Sequence, residues 1–339
     1  MRACAVPYLE SLEPRRLLCD GHVDAVLPQG ITTLAASPPS LSWGAVNQVP
    51  QPREEGAAAV VGSKLYLFGG FFNSDFEATT RVDVLDTATG RWSQAAPMLL
   101  PTTHSPVVQT ASRVFFFGGY VGTDPGPATA AIQIYNFRTN KWTRGVDMPA
   151  PRGAHAAVLV GNLVYLFGGR NKARTAEFQE TWSFNLDTNE FRTIARMPDP
   201  RNHLTGAQVD GQVYAIGGQK KEAAESSNLN VVHRYNPKKN RWFPAANLPV
   251  AVSHQLASTF VYQKKIIVVG GETAHNVAAR EVRVFDPYEN RWSQLTPLPE
   301  VRRAGFGGLI DDRMYLASGS VVGASQREVF RSSRLEGIL

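Results

Sequence analysis

The sequence predicts an all-β fold of six four-stranded sheets set around a common axis, a six-bladed β-propeller. Three observations predict it. An apolar run ending in adjacent glycines recurs: "KLYLFGG" (64–70), "RVFFFGG" (113–119), "LVYLFGG" (163–169), "QVYAIGG" (212–218) and "KIIVVGG" (265–271), with a decayed copy at Gly319-Ser320. The spacing runs from 49 (Gly70 to Gly119) to 53 (Gly218 to Gly271), a period suited to one propeller blade per repeat. A second marker keeps step with the first: Trp43, Trp92, Trp142, Phe191, Trp242 and Trp292. Finally, 29 glycines and 22 prolines in 339 residues supply the turns that many short strands need.

Within a repeat, strands A to D follow in order. Gly62-Ser63, Gly161-Asn162 and Asp210-Gly211 separate two apolar runs, and such pairs supply the positive φ of a two-residue hairpin, here A to B. Strand B is apolar at nearly every position, as expected where both faces of a sheet are covered. A second hairpin, C to D, follows in stretches such as "RVDVLDTATGRWSQ" (81–94). Gly90, Asn140, Asn189, Asn240 and Asn290 stand two residues before the aromatic of strand D, a slot predicted to be left-handed because Gly and Asn tolerate that conformation best.

The last repeat ends with "REVFRSS" (327–333), its strand C, whereas "SLSWGAV" (40–46) is a strand D with no A, B or C before it. Pairing residues 40–46 with 327–333, with Trp43 beside Val329, closes the ring and removes two open sheet edges.

The glycine pairs after apolar strands and the spaced aromatics resemble those of kelch-repeat propellers over residues 40–334; Phe191 for Trp and Ser320 for Gly depart from the pattern. This resemblance implies a kelch-type propeller over residues 40–339. It also brings enzymes into view. Copper-radical oxidases of this architecture need a cysteine inside the propeller, but Cys4 and Cys19 both precede it. The iron motif of plant specifier proteins has no counterpart. Bacterial sialic-acid epimerases share the architecture and size, which makes a carbohydrate-active epimerase or mutarotase the alternative to a non-enzymatic binding propeller.

Strands running up, down, up, down place the D–A and B–C connections on one face, where the longer and more varied segments collect. The lead-ins to strand A read "PQPREEG" (50–56), "LPTTHSP" (100–106), "PAPRGAH" (149–155), "PDPRNHL" (198–204), "PVAVSHQ" (249–255) and "EVRRAGF" (300–306). One contribution per blade predicts a rim of Arg53, Arg152, Arg201 and Arg303 with His104, His155, His203 and His254. Asp75, Asp124, Arg170, Lys172, Lys220, Glu272 and His275 follow the glycines above it. Guanidinium forks favour carboxylate or phosphate oxygens, so the rim is expected to bind a protein or glycan carrying anionic groups. Arg and His at this level serve equally well as bonds to neighbouring backbone. Glu54 and Glu55 are adjacent, and adjacent side chains point apart, which argues against an acid/base pair. No metal and no cofactor are expected.

Net charge is +6 with basic residues scattered, which argues against nucleic acid as partner, and no apolar run is long enough to span a bilayer. Nothing in the sequence assigns an oligomeric state. Residues 1–39 read as a leader and linker. Leu12, Glu13, Pro14, Arg15, Arg16, Leu17 and Leu18 resemble the LEPR-XLL motif found near the start of many bacterial surface and secreted proteins. That resemblance implies an extracytoplasmic location, although Glu10, Glu13 and Asp20 interrupt any signal-peptide core.

Overall fold

In the computed structural model, which describes residues 40–221 and 225–339, each apolar run ahead of a glycine pair forms the second strand of an antiparallel four-stranded sheet. The motif at Leu12–Leu18, both cysteines and the leader assigned to residues 1–39 lie outside the described residues. Blade 1 comprises Ala57–Val61, Lys64–Phe68, Val82–Asp86 and Arg91–Gln94, and blade 2 Val107–Gln109, Arg113–Phe117, Ile132–Asn136 and Lys141–Arg144. Blades 3 and 4 begin with Gly153–Val160 and Thr205–Val209 and end with Phe191–Ile194 and Arg241–Pro244; blade 5 runs from Thr259–Tyr262 to Arg291–Leu295. Blade 6 takes Phe306–Ile310, Arg313–Ala317 and Glu328–Ser332 from the end of the chain and Trp43–Gln48 from its beginning.

That closure follows the expected pairing with a different register. Trp43 lies opposite Ser332 and Asn47 opposite Val329, with an irregularity between Ala45 and Asn47. The aromatic opens strand D, so in an antiparallel pair it must face the end of strand C, just as Trp92 faces Leu85. The tryptophans then lace neighbouring blades. Indole N–H groups of Trp142, Trp242 and Trp292 donate to the carbonyls of Ala96, Ala195 and Ala246 in the preceding blade, at 2.8–3.0 Å. Trp43 completes the lacing on Thr296 of blade 5. The slot two residues earlier is left-handed as predicted, with positive φ at Gly90, Asn140, Asn189, Asn240 and Asn290. The amide oxygens of Asn140, Asn240 and Asn290 accept the N–H of Ala96, Ala195 and Ala246, so each blade grips its neighbour twice.

The core is divided among the gaps between blades. Phe68 and Tyr66 of blade 1 pack against Phe116 and Tyr135 of blade 2, and comparable clusters fill the other gaps. Strand B is therefore covered on both faces, and each side chain such as Phe68 or Phe116, about 1% exposed, contributes roughly 2–3 kcal/mol of burial.

The sixth glycine pair is displaced from its expected position. Ser318 (φ 54°) and Gly319 (φ 80°) adopt the conformation of Gly69 (59°) and Gly70 (91°), while Ser320 bridges Arg303 as Phe71 bridges Glu54. The pair is thus Ser318-Gly319, with serine accepting the left-handed position.

Candidate functional site

The geometry of the axis is set by backbone. The N–H of Glu55 donates to the carbonyl of Ala304, His104 to Glu55, Ala154 to His104, His203 to Ala154, His254 to His203 and Ala304 to His254, at 2.8–3.2 Å. These six residues, one per blade, form a closed ring of peptide hydrogen bonds, and all six are left-handed, with φ between 50° and 59°. Non-glycine residues rarely adopt that conformation, and the closed ring is what holds them in it. A second circle lies outside the first. Gly119, Gly169, Gly218, Gly271 and Gly319 donate their N–H groups to the carbonyls of Arg152, Arg201, Val252, Arg302 and Arg53 in the next blade, at 2.8–3.0 Å.

Above the ring, on the face of the D–A and B–C connections, is an open basin of about 750 Å³. Its floor carries Glu55, His104, His203 and His254, with Glu54, Glu272 and Arg303 beside them; Phe71, Phe76, Pro125, Pro127 and Arg174 form the wall. Every blade contributes. The imidazoles touch in series: His203 stacks on His254 with centroids 4.2 Å apart and meets His104 edge-on at 4.8 Å. Glu55 stands between the outer two, its carboxylate oxygens 3.4 Å from His104 Nε2 and 3.6 Å from His254 Nε2.

Burial in this crowded floor holds all three imidazoles well below their usual pKa, helped by the neighbouring cations and rings, so they are neutral near pH 7. The Glu55 carboxyl is pushed up to about 8, first by burial and then by Glu54, against the opposing pull of Arg303. Arg303 is already engaged. It bonds Ser320 Oγ at 3.0 Å, pairs closely with Glu272, and lies 3.7 Å from Glu54.

The arginine rim expected from the sequence is not formed. Arg53, Arg152 and Arg201 are fully buried and point away from the basin into their own blades. The glycine pair interrupts the ladder and frees the carbonyl of its first member, which needs a donor. Arg152 Nη1 bonds Gly168 O at 3.2 Å and Arg201 Nε bonds Gly217 O at 2.6 Å. Arg53 bonds Arg81 O at 2.9 Å and pairs with Asp83 at 2.8 Å. In blade 5, Val252 occupies the arginine slot, and Arg283 from strand C bonds Gly270 O at 3.0 Å instead.

Arg303 stands one residue out of phase with Arg53, Arg152 and Arg201. Its neighbour Arg302 is the equivalent of Arg53, buried against Glu300 and Glu328 at 2.9 and 3.0 Å. That offset is what carries Arg303 to the basin. His155 is wholly buried behind the ring with no partner for either ring nitrogen among the described residues. Arg170 is ion-paired with Glu177 at 3.8 Å outside the basin lining. Of the expected residues, His104, His203, His254, Glu272 and Arg303 come together, joined by Asp124, Lys172 and His275 from the connections; Asp75 and Lys220 do not line the basin.

The sequence sets Glu54 and Glu55 apart as adjacent side chains, yet both line the basin, and sequence reasoning missed the aromatic wall. A signal for Glu55 was present. Glu55, His104, Ala154 and His203 stand the same distance before Gly70, Gly119, Gly169 and Gly218. Among the described residues no group of three His, Cys, Asp or Glu has metal-holding geometry, and the stacked imidazoles explain why: their ring faces, not their lone pairs, meet.

Comparison with known proteins agrees with this architecture. The Kelch motif matches residues 52–99 and the KLHDC2/KLHL20/DRC7 Kelch-repeats domain matches residues 103–319. Kelch-like protein 35 of Mus musculus is 34% identical over 91 residues, 27% of this chain and 16% of that protein. Kelch-like protein terF of Aspergillus terreus is 31% identical over 105 residues, 29% of this chain and 22% of that protein. A Kelch domain-containing protein of Sulfurisphaera tokodaii is 31% identical over 91 residues, 27% of this chain and 13% of that protein. The chain therefore spans between 13% and 22% of the length of these relatives. The solved structure of YjhT superposes with a TM-score of 0.69 at 15% identity, covering 83% of this chain and 94% of that one, a likeness of fold. With its glycine pairs, laced tryptophans and six closed blades, the chain belongs to the KLHDC2/KLHL20/DRC7 Kelch-repeats domain family.

Proposed function

We propose that the chain is a non-enzymatic binding module that receives part of a protein partner in the basin on its long-loop face. The observation that carries this reading is the basin itself. All six blades deliver side chains to it, and its floor combines polar groups facing the cavity with an aromatic wall. A pocket lined by apolar surface with a few convergent polar groups is the usual form of a recognition site. The propeller alone carries no such argument, since one fold hosts many functions. The test is selection of peptides from a random library on the full chain. Selected peptides should lose binding on Phe76→Ala and His203→Ala and keep it on Arg138→Glu, at a hairpin tip on the opposite face. Peptides sensitive only to Arg138→Glu would move the site to the other face.

A second reading has one observation in its favour. A carboxyl titrating at about 8 beside neutral imidazoles suits proton transfer, as on the ring oxygen or anomeric hydroxyl of a sugar. Anomer exchange of neutral and acidic sugars, followed by NMR, tests it: acceleration abolished by Glu55→Gln would replace the binding reading with an epimerase or mutarotase. The extracytoplasmic location rests on Leu12–Leu18 alone, and fractionation of the native host tests it.

A further inference from the structure

The hydrogen-bond network fixes which nitrogens of two basin histidines, His203 and His254, carry protons. Asn202 offers its amide oxygen to His203 Nδ1, because its amide nitrogen is committed to Glu177 and the carbonyl of Lys221, at 3.0 and 3.2 Å. Nδ1 of His203 is therefore the donor. Ser253 Oγ faces the amide oxygens of Gln219 and Asn228 at 3.1 and 3.0 Å and has only one proton to give. It must accept from His254 Nδ1, 2.7 Å away. Both imidazoles thus carry bare Nε2 lone pairs.

Once Glu55 ionises, His254 Nε2 faces its Oε1 at 3.6 Å as acceptor against acceptor. His203 is 93% buried, lines the basin, and has no hydrogen-bond partner for Nε2 among the described residues. Arg303 is spent on Glu272, Ser320 and Glu54, and Arg174 at the wall is paired with Asp124. With Glu55 ionised, its carboxylate and the Nε2 lone pairs of His203 and His254 give the floor more acceptors than donors.

We propose that this floor is a site for a primary ammonium group, which donates to the Glu55 carboxylate and to Nε2 of His203 and His254. An ammonium has three donors and no acceptor. The basin above suits a lysine side chain of a protein partner: Phe71 and Phe76 are T-shaped at 5.6 Å and, with Pro125 and Pro127, line a path for an aliphatic stem. The aromatic faces add cation–π attraction. Charge favours a cation once Glu55 ionises, when the lining holds four carboxylates (Glu54, Glu55, Asp124 and Glu272) against three cations (Lys172, Arg174 and Arg303). This inference rests on the reading of the basin as the recognition site and replaces an anionic ligand with a cationic one.

The test is titration of the full chain with Nα-acetyl-lysine methylamide, its Nε-acetyl analogue and n-butylamine, read by calorimetry and by the ring C–H resonances of His203 and His254. The lysine derivative should bind with a dissociation constant on the order of 1 mM, shifting both rings. Nε-acetylation on the ligand and Glu55→Gln on the protein should each weaken binding at least tenfold. Binding should tighten with rising pH up to about 8 as Glu55 ionises, by up to about tenfold per unit. Equal binding of the acetylated ligand, which needs no protein variant, would overturn the proposal, as would no response at 100 mM of either amine (roughly a hundredfold above the expected constant). A preference for the lysine derivative over butylamine assigns the site to a protein side chain, and equal affinity assigns it to a free amine. Selected peptides that need the basin but lack lysine would remove the ammonium site and leave the basin reading intact. Amine binding with no basin-dependent peptide would do the reverse.

Discussion

Replacing Arg152 by alanine separates a structural from a ligand-binding arginine. Its guanidinium is wholly buried, bonds the carbonyls of Gly168 and Glu180 at 3.2 and 3.0 Å, and lies over the rings of Trp182 and Phe178 at 3.8 and 4.1 Å. Each charge-assisted bond is worth about 1.5–3 kcal/mol, and the ring contacts add about 2 kcal/mol. Removing a buried charge whose Nε and Nη2 have no partner among the described residues gives back several kcal/mol of desolvation. The net loss is about 3 kcal/mol, which lowers Tm by roughly 4–5 °C in a chain of this size. Urea unfolding of wild type, Arg152→Ala and Arg152→Met measures it. Methionine keeps the stem against Trp182 and should recover part of the loss. If Arg152→Ala unfolds within about 0.5 kcal/mol of wild type, the scale of an exposed substitution, the guanidinium is not a strut and the assignment fails.

Three further outcomes follow from the same geometry. Gly169→Ala places a Cβ 2.6 Å from the carbonyl oxygen of Gly153 at a φ of 84°, and should cost at least about 2 kcal/mol by thermal denaturation. Truncation before Val49 removes the closing strand, exposes the edge at Glu328–Ser332 and loses the burial of Leu41 and the indole bond of Trp43; it should destabilise by at least about 3 kcal/mol, and a peptide of residues 40–49 should restore part of that. The Glu55 carboxyl is raised from 4.5 to about 8, so between those values the folded state holds a proton the unfolded chain has lost. Its contribution is complete below about 4.5 and disappears as pH rises through 8. Wild type should therefore lose stability relative to Glu55→Gln across that window, and parallel curves for the two proteins would refute the assignment.

What the sequence made legible was everything governed by backbone conformation. Asn140 and Gly90 announce a left-handed turn because few residues tolerate it, and Trp142 keeps its distance from that turn because both grip the same carbonyl-bearing segment at Ala96. Side-chain direction was not legible. Arg152 and His104 stand in similar lead-ins, yet one turns into the blade and the other toward the axis. His104 is the left-handed residue of its own lead-in, whereas Arg152 stands two residues before Ala154, the left-handed residue of its blade, and no composition rule reveals that difference in phase. Arg303 was grouped with Arg152 because an arginine pair blurs the phase; only the placement of Arg302 against Glu300 and Glu328 resolves it.

The ring of six also gives reason to regard the basin as functional. Glycine is the residue that a left-handed position prefers, and the neighbouring glycine pairs show that this chain uses it freely at such positions. At the axis, however, Glu55, His104, His203 and His254 occupy the slot, each in a conformation that disfavours a side chain, while Ala154 and Ala304 complete the circle. Four polar side chains are thus kept on the axis at a conformational cost, and one of them, Glu55, is held with its carboxyl pushed up to about 8. Stability alone would be better met by glycine, whose N–H and C=O would close the same ring. Observed strain of this kind supports an inference toward function. Replacing His203 by glycine therefore separates the two demands: the ring should keep or gain stability while the basin loses its lysine-derivative binding.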